Sequence, residues 1–357
     1  MHSPSLKNEN SAVPETFNPS RGQFLSTLRE LATFDNLLYA YKCAVKHKKH
    51  RTKVFKYADN LGENLLKLQR RILDGTYSPK PCYNFEIFCT CGQKVRQISA
   101  PKFEDTIVQN LIYQNIYDYF DRKFIFDSYG CRRGKGTHKA ADRLQRFVRE
   151  VDQNAYILQL DIRKYYYNID HSILRKILQR FVYDEELVDT MMEFCKNENN
   201  IGLNVGCLMS QLFGLIYLNR FDHWVKRNLK IKHYIRYVDD MVFILPNRKL
   251  AETVLQKCSE FLKTELHLSL SKFKIFPIKN GVNFVGFRTK QNGRRIRRRS
   301  VISFKRALRK RKFNSLISIL GHTMHSKDYY RCINTLNANL SESEKQKLPK
   351  RFREELT

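Results

Sequence analysis

Three aspartates carry the clearest chemical pattern in the chain. Asp239 and Asp240 lie between apolar runs at residues 234–238 and 241–245, and two such runs with a tight junction predict a β-hairpin. Hairpin turns favour Asn-Gly or Asp-Gly, and neither stands here. The bland alternative is a pair of turn-forming aspartates, but adjacent carboxylates repel and call for a compensating cation. Asp161 closes an earlier apolar strand, residues 156–160. A strand-end Asp combined with an Asp-Asp hairpin suits in-line nucleotidyl transfer. There, two metals about 3.5–4 Å apart stabilise the attacking 3′-oxygen and the leaving pyrophosphate. Hard oxygen ligands suit two Mg2+ ions, with Mn2+ as a substitute.

Basic and aromatic residues flank these carboxylates. Lys94 and Arg96 are one residue apart, so both project from one strand face and suit a single phosphate group. Plain surface charge is the competing reading. Tyr165, Tyr166 and Tyr167 follow Asp161 closely, and at least one is expected in the core. Residues 129–140, YGCRRGKGTHKA, join basic side chains to glycines whose amides can approach phosphates; a plain basic loop is the alternative.

The elements that must position these residues follow from periodicity. Helices are expected within residues 23–75, ended by Asp74-Gly75, and over 103–120, 184–197, 208–229 and 249–266, with another starting at His171. Residues 83–89 and 94–99 alternate as strands around a Gly92 turn, and strands return over 272–287. Strands and helices mix without regular βαβ alternation, so the fold class is α+β. The chain has 357 residues, enough for two or three compact domains. Lys and Arg total 65 against 35 acids, a net charge of +30, which favours a polyanion. Between Glu265 and Asp328 there is no carboxylate, and a basic stretch of that length suits a phosphate backbone. No apolar run of membrane-spanning length and no signal-peptide core occurs, so no membrane partner and a cytoplasmic location are expected. Nine cysteines, with Cys82, Cys89 and Cys91 as the one cluster, read as ordinary reduced thiols.

YVDD, residues 237–240, resembles the Tyr-x-Asp-Asp box of reverse transcriptases, and further motifs resemble that family in order over roughly residues 25–320. KVRQI resembles the fingers motif in which Lys94 and Arg96 hold the incoming triphosphate. DIRKYY places Tyr166 where the family has an aromatic gate against a ribose 2′-hydroxyl, while RNA-copying RNA polymerases of this fold carry an acidic residue there. The resemblance also makes the Ile162 backbone a metal ligand and a neighbour of the nucleotide. GCLMSQ, with Gly206, Ser210 and Gln211, resembles the loop and helix beneath template and nucleotide. LSLSKFK offers Lys274 as the proton donor to pyrophosphate, with Lys272 as its rival, and NFVGF resembles the primer grip that opens the thumb.

The resemblance implies a right-hand polymerase: a disordered lead-in (1–22), N-terminal helices and fingers (23–155), palm (156–287) and basic helical thumb (288–357). It implies RNA-directed DNA synthesis from an RNA template and a DNA or RNA primer with dNTPs. Gln211 after Ser210, the surrounding IGLNVGCLMSQLFGLIYLN and SYGCRRGKGTHKA resemble diversity-generating retroelement enzymes, in which the Val205 and Gln211 positions accompany error-prone copying of adenines. That would add a structured noncoding RNA and a small basic accessory protein as partners. Asn204, Cys207, Met209 and Thr106 depart from that pattern, and an antiphage reverse transcriptase copying a noncoding RNA is the alternative. A noncatalytic RNA-binding protein of the same fold predicts loss of a metal carboxylate, and all three are present.

Overall fold

The computed structural model describes residues 22–46, 48, 51–89, 94–197 and 199–356. The Gly92 turn, Cys91 and nearly all of the lead-in lie outside the described residues. The chain forms two compact units, each from two stretches: Met1–Lys123 with Tyr166–Tyr217, and Phe124–Tyr165 with Leu218–Thr357. Strands and helices mix as the periodicity predicts, and the observed sheets are antiparallel.

In the first unit, the N-terminal region is helical over Leu28–Leu31, Phe34–Val45, Thr52–Ala58 and Leu61–Leu73. Thr27 and Glu30 form a reciprocal capping box, and Thr33 caps the second helix. Leu65, Leu68 and Ile72 are buried at helical spacing, and Gly75 leaves the last helix in the left-handed region (φ 66°). Leu66, on the same helix, is 44% exposed, because it lies a third of a turn away from that stripe. Strands β1 (Tyr83–Cys89) and β2 (Lys94–Ala100) form an antiparallel pair, with Ile87 opposite Arg96. Helix Phe103–Asp121 buries Ile107, Leu111 and Ile116, and helices His171–Phe181 and Glu185–Glu193 start on the caps Asp170 and Asp184.

The second unit is built on a four-stranded sheet with order β4-β5-β3-β6. Its strands are β3 (Tyr156–Ile162), β4 (Tyr234–Tyr237), β5 (Asp240–Leu245) and β6 (Leu270–Pro277). Helix Arg248–Leu266 buries Ala251, Val254, Cys258, Leu262 and Leu266, a spacing of three or four that makes one continuous stripe. A three-stranded sheet follows, β7 (Val282–Phe284), β8 (Phe287–Lys290) and β9 (Gly293–Ile296). Helix Thr137–Glu150 packs Leu144, Phe147 and Val148 into one core with Ile157, Ile235, Val242 and Phe284. That helix and β9 were not predicted from the sequence, although the helix carries Ala140, Ala141, Leu144, Phe147 and Val148 at helical spacing; β9 is only four residues long.

The C-terminal helices Arg298–Arg309, Phe313–Thr323 and Tyr329–Asn337 share a core that includes Phe304, Leu316, Leu320, Leu336 and Phe352. Helix Leu208–Arg227 begins in the first unit and ends in the second, with Leu212, Ile216 and Phe221 buried. Among the described residues, no helix is long and apolar enough to cross a membrane.

Candidate active site

The carboxylates lie on neighbouring strands of the second unit. Asp161 in β3 stands directly across from Asp240 in β5. Tyr237 pairs with Asp240, so Val238 and Asp239 form the two-residue turn and Asp240 is already the first residue of β5. The sequence placed both aspartates in the junction; strand pairing moves one of them into the sheet. Asp161 is likewise the penultimate residue of β3, followed by a bulge between Asp161 and Ile162. The side chain of Ile162 is buried, so its backbone is what the strand end offers.

Asp240 and Asp161 each have a polar escort. Gln159 Nε2 donates to Asp240 Oδ1 (3.2 Å) and to the Asn283 carbonyl (2.7 Å). Ser271 Oγ donates to the Asp161 carboxylate and lies 3.2 Å from its carbonyl oxygen. Burial pushes the Asp240 carboxyl up to about 7; Gln159 and the Arg297 charge oppose this, and the charges of Asp161 and Asp239 add to it. Among the described residues, no three Asp, Glu, His or Cys groups converge on one point as a ready metal cluster. Neighbouring carboxylates repel, and Gln159 and Ser271 hydrogen-bond to the Asp240 and Asp161 carboxylates. The donors are nonetheless hard oxygens crowded with negative charge, which fits Mg2+ chemically.

The turn is held by groups the sequence reading missed. Val238 takes φ 57°, a left-handed conformation that costs a β-branched residue strain of about 1–3 kcal/mol. A Cβ on Gly130 would sit 2.4 Å from Val238 Cγ2 and 2.7 Å from its nitrogen, so only glycine permits the approach. Arg236 is fully buried; its Nε donates to Asp222 (2.8 Å) and its Nη1 to the Val238 carbonyl (2.9 Å). Tyr234 also donates to Asp222 (2.7 Å). Burial works against the Arg236 charge, but the Asp222 carboxylate outweighs it and keeps the guanidinium above its ordinary pKa. The available signal was a single Arg in an otherwise apolar strand, YIRY, and a single Asp in an apolar helix stretch.

On β6, Lys272 stands across from Asp161 and Lys274 across from Gln159, both exposed and both on the carboxylate face of β3. Within residues 129–140, Arg132 and Lys135 turn back onto the carbonyls of Ile125 and Phe126, so the structure uses these charges to shape the loop.

In the first unit, Val205 and Gly206 lie against β2. Ser99 N donates to the Val205 carbonyl (2.7 Å), and a Cβ on Gly206 would sit 3.0 Å from the Ser99 carbonyl oxygen. Gly206 also has φ 122°, open to glycine alone at little cost. Ser210 is buried and donates to the Asn204 carbonyl (2.8 Å), while Gln211 is exposed on helix Leu208–Arg227. Gln109 Oε1 accepts from Leu208 N (2.9 Å) and so ties that helix start to helix Phe103–Asp121. The Tyr166 ring packs over Gly214, where a Cβ would lie 3.1 Å from Tyr166 Cε1. Tyr165 is the buried tyrosine of the three, and Tyr167 is exposed. Arg96 is exposed on β2; the Lys94 backbone opens that strand, and its side chain lies outside the described residues.

A family described as "Reverse transcriptase (RNA-dependent DNA polymerase)" matches residues 88–289, more than half of the chain. Among curated proteins, Protein YkfC of Escherichia coli is 24% identical over 266 residues, covering 62% of this chain and 70% of that protein. The group II intron-encoded protein LtrA of Lactococcus lactis is 26% identical over 48% of this chain and 29% of its own length. The putative COX1/OXI3 intron 1 protein of Saccharomyces cerevisiae is 22% identical over 45% of this chain and 20% of its own length. The chain thus spans less than a third of these intron-encoded relatives. The matched segment contains β3, the Val238–Asp239 turn, β5 and β6, the elements that carry the aspartates, and on that match the chain belongs to the reverse transcriptases, the RNA-dependent DNA polymerases with a right-hand fold.

Proposed function

We propose that this chain makes cDNA from an RNA template by two-metal nucleotidyl transfer. The observation that carries the reading is the cross-strand Asp161–Asp240 pair beside the strained Val238–Asp239 turn. Asp161, Asp239, Asp240 and the Ile162 carbonyl would hold two Mg2+ ions, with Mn2+ as a substitute. Ions held there would supply positive charge to the primer 3′-hydroxyl and to the leaving pyrophosphate. Lys94 and Arg96 grip the triphosphate of the dNTP, and Lys274 places its proton near the departing oxygen. Tyr166, braced on Gly214, excludes a ribose 2′-hydroxyl. Val205, Gly206, Ser210 and Gln211 support the nascent pair, Gly206 and Ser210 by fixing the loop. The N-terminal helices and the β1–β2 pair serve as fingers, the four-stranded sheet as palm, and residues 288–357 as a basic thumb on the template–primer duplex. Asp239→Ala is expected to abolish primer extension with dNTPs on RNA; synthesis that persists in this variant sinks the mechanism.

The finer reading is a low-fidelity enzyme of a diversity-generating retroelement, working with a structured RNA and a small basic partner. It is supported by Gln211, exposed at the start of helix Leu208–Arg227, and by Val205 beside β2. Val205→Gln combined with Gln211→Pro is expected to cut errors opposite template adenine, counted by sequencing the cDNA. An unchanged error spectrum favours the antiphage alternative, in which a dedicated noncoding RNA is copied.

A further inference from the structure

The turn between β7 and β8 is held from two sides within the second unit. Phe284 pairs with Phe287, so Val285 and Gly286 form a two-residue turn, both left-handed (φ 40° and 93°). That hand suits a hairpin, but it strains a β-branched valine, and strain persists only where the surroundings hold it. On the aspartate side, Gln159 Nε2 donates both to the Asn283 carbonyl and to Asp240, which ties the first strand of this hairpin to a candidate metal ligand. On the other side stands His322, near the end of helix Phe313–Thr323. A Cβ on Gly286 would lie 2.7 Å from His322 Nε2, and the imidazole stacks on the Phe287 ring with centroids 4.0 Å apart. Two more histidines back it. His138, on helix Thr137–Glu150, lies 5.9 Å from His322 and stacks on His325 with centroids 3.7 Å apart. Arg294 of β9 closes the cluster: it donates to the His325 carbonyl and to Asp142 (2.6 Å), and it lies over Phe287. His138 Nδ1 is buried and has no partner among the described residues.

We infer that His322 is a positioning residue for the primer 3′ end: stacked on Phe287 and backed by His138 and His325, it locks the Val285–Gly286 turn to the C-terminal helices while the imidazoles are neutral, and releases it when they take up protons. The primer part rests on the polymerase reading above, through the resemblance of NFVGF to the primer grip; the proton-sensitive lock does not. Gln159 and His322 act on the same hairpin from two sides, so loss of His322 shifts the hairpin relative to Asp240 without touching a metal ligand. Stacked imidazoles tolerate charge poorly, and the surroundings add to the repulsion. Arg294 and Arg297 face the rings from β9 and the residue after it, Lys327 reaches Gly293 from the loop that carries His325, and Arg351 approaches Gly321. The nearby acids are engaged elsewhere: Asp142 accepts from Arg294, and Asp328 accepts from Ile296 N (2.8 Å). Burial first, then His325, His322 and Arg294, push His138 below its ordinary pKa of 6.5. Burial, His325, Arg297 and Arg294 push His322 the same way, against the Gly286 backbone. A histidine whose folded value lies below its unfolded one favours the fold when neutral. The stabilisation is therefore complete above a pH of about 6.5 and is lost as pH falls below it.

The lock is tested on the full chain by hydrogen exchange, corrected for the intrinsic effect of pH, between about pH 7.5 and about pH 5.5. Protection of residues 283–297 is expected to fall several-fold in acid relative to helix Arg248–Leu266, which serves as the internal reference. Equal protection at both pH values overturns the lock. Thermal melting supplies a second reading: the natural chain is expected to lose more of its melting temperature over this interval than His138→Phe with His322→Phe, which keeps the rings but cannot take up protons. Parallel melting curves overturn the lock as well. The primer part is tested at neutral pH with a labelled RNA–DNA hybrid that has a recessed 3′ end. His322→Ala is expected to slow single-turnover dNTP incorporation from bound primer by about tenfold or more while the affinity for the hybrid changes less than about twofold. His322→Phe is expected to recover most of the rate. An unchanged rate, a rate that falls only in step with affinity, or a phenylalanine no better than alanine overturns the positioning role. Exchange and melting need no polymerase activity, so failure of the lock and failure of the proposed function are read separately.

Discussion

At the scale of single residues, the chemistry depends on what stands behind each functional group. Tyr166 has a defined ring position because Gly214 leaves room for it within helix Leu208–Arg227. Replacing the tyrosine removes the ring, and any steric exclusion with it. Tyr166→Ala is therefore expected to lower the preference for dNTP over rNTP by at least roughly tenfold, about 1.4 kcal/mol, in single-nucleotide incorporation on an RNA template. An unchanged preference removes Tyr166 from the gate. Lys272 and Lys274 project from the same strand face toward different partners on β3, which a sequence with two alternating lysines leaves open. Comparing single-turnover rates of Lys272→Ala and Lys274→Ala assigns the proton donor.

At the scale of elements, the β4–β5 hairpin is over-determined from two sides. Gly130 packs against Val238, and Arg236 grips the Val238 carbonyl from within the sheet. A methyl added at Gly130 has nowhere to go, because it meets backbone as well as side chain. Gly130→Ala is expected to cost about 1–3 kcal/mol of stability and to depress primer extension far more than that loss explains. Gly62→Ala is the matched control: it lies in helix Leu61–Leu73, a Cβ there meets nothing within 4 Å, and melting is expected to rise by up to about 1 kcal/mol. Arg236→Leu leaves Asp222 charged and buried, a loss of about 3–5 kcal/mol read by denaturant unfolding. Adding Asp222→Leu is expected to restore much of it, though not all, since the Tyr234 hydroxyl then loses its acceptor.

At the scale of the molecule, charge is segregated. Helix Arg298–Arg309 buries Phe304, Ala307 and Leu308 and exposes Arg298, Arg299, Lys305, Arg306 and Arg309. A carboxylate-free stretch with Phe304, Ala307 and Leu308 turned inward presents a cationic surface that follows phosphates regardless of sequence. Replacing Arg299, Lys305 and Arg306 together with Ala is expected to make the salt dependence of template–primer affinity shallower, by about 0.7–0.9 for each phosphate these side chains neutralise. A slope that does not change excludes this helix from binding the duplex. These exposed side chains support no core, so melting is expected to stay within about 0.5 kcal/mol of the natural chain.

The sequence alone determined the mixed α+β composition, most element positions, the order of the reverse transcriptase motifs and the basic C-terminal region. All of these are local or periodic properties, written into neighbouring residues. It placed the resemblance at roughly residues 25–320, and the family match falls inside that span. Only the tertiary structure decided that Asp240 belongs to a strand while Asp239 turns, because pairing with Tyr237 sets that boundary. It alone joined Gly130 to Val238 and Arg236 to Asp222, and it built each compact unit from two separated stretches. Such pairings join residues whose separation along the chain follows no period, so the physics that selects them, steric fit and the satisfaction of buried charge, acts only once the chain has closed on itself.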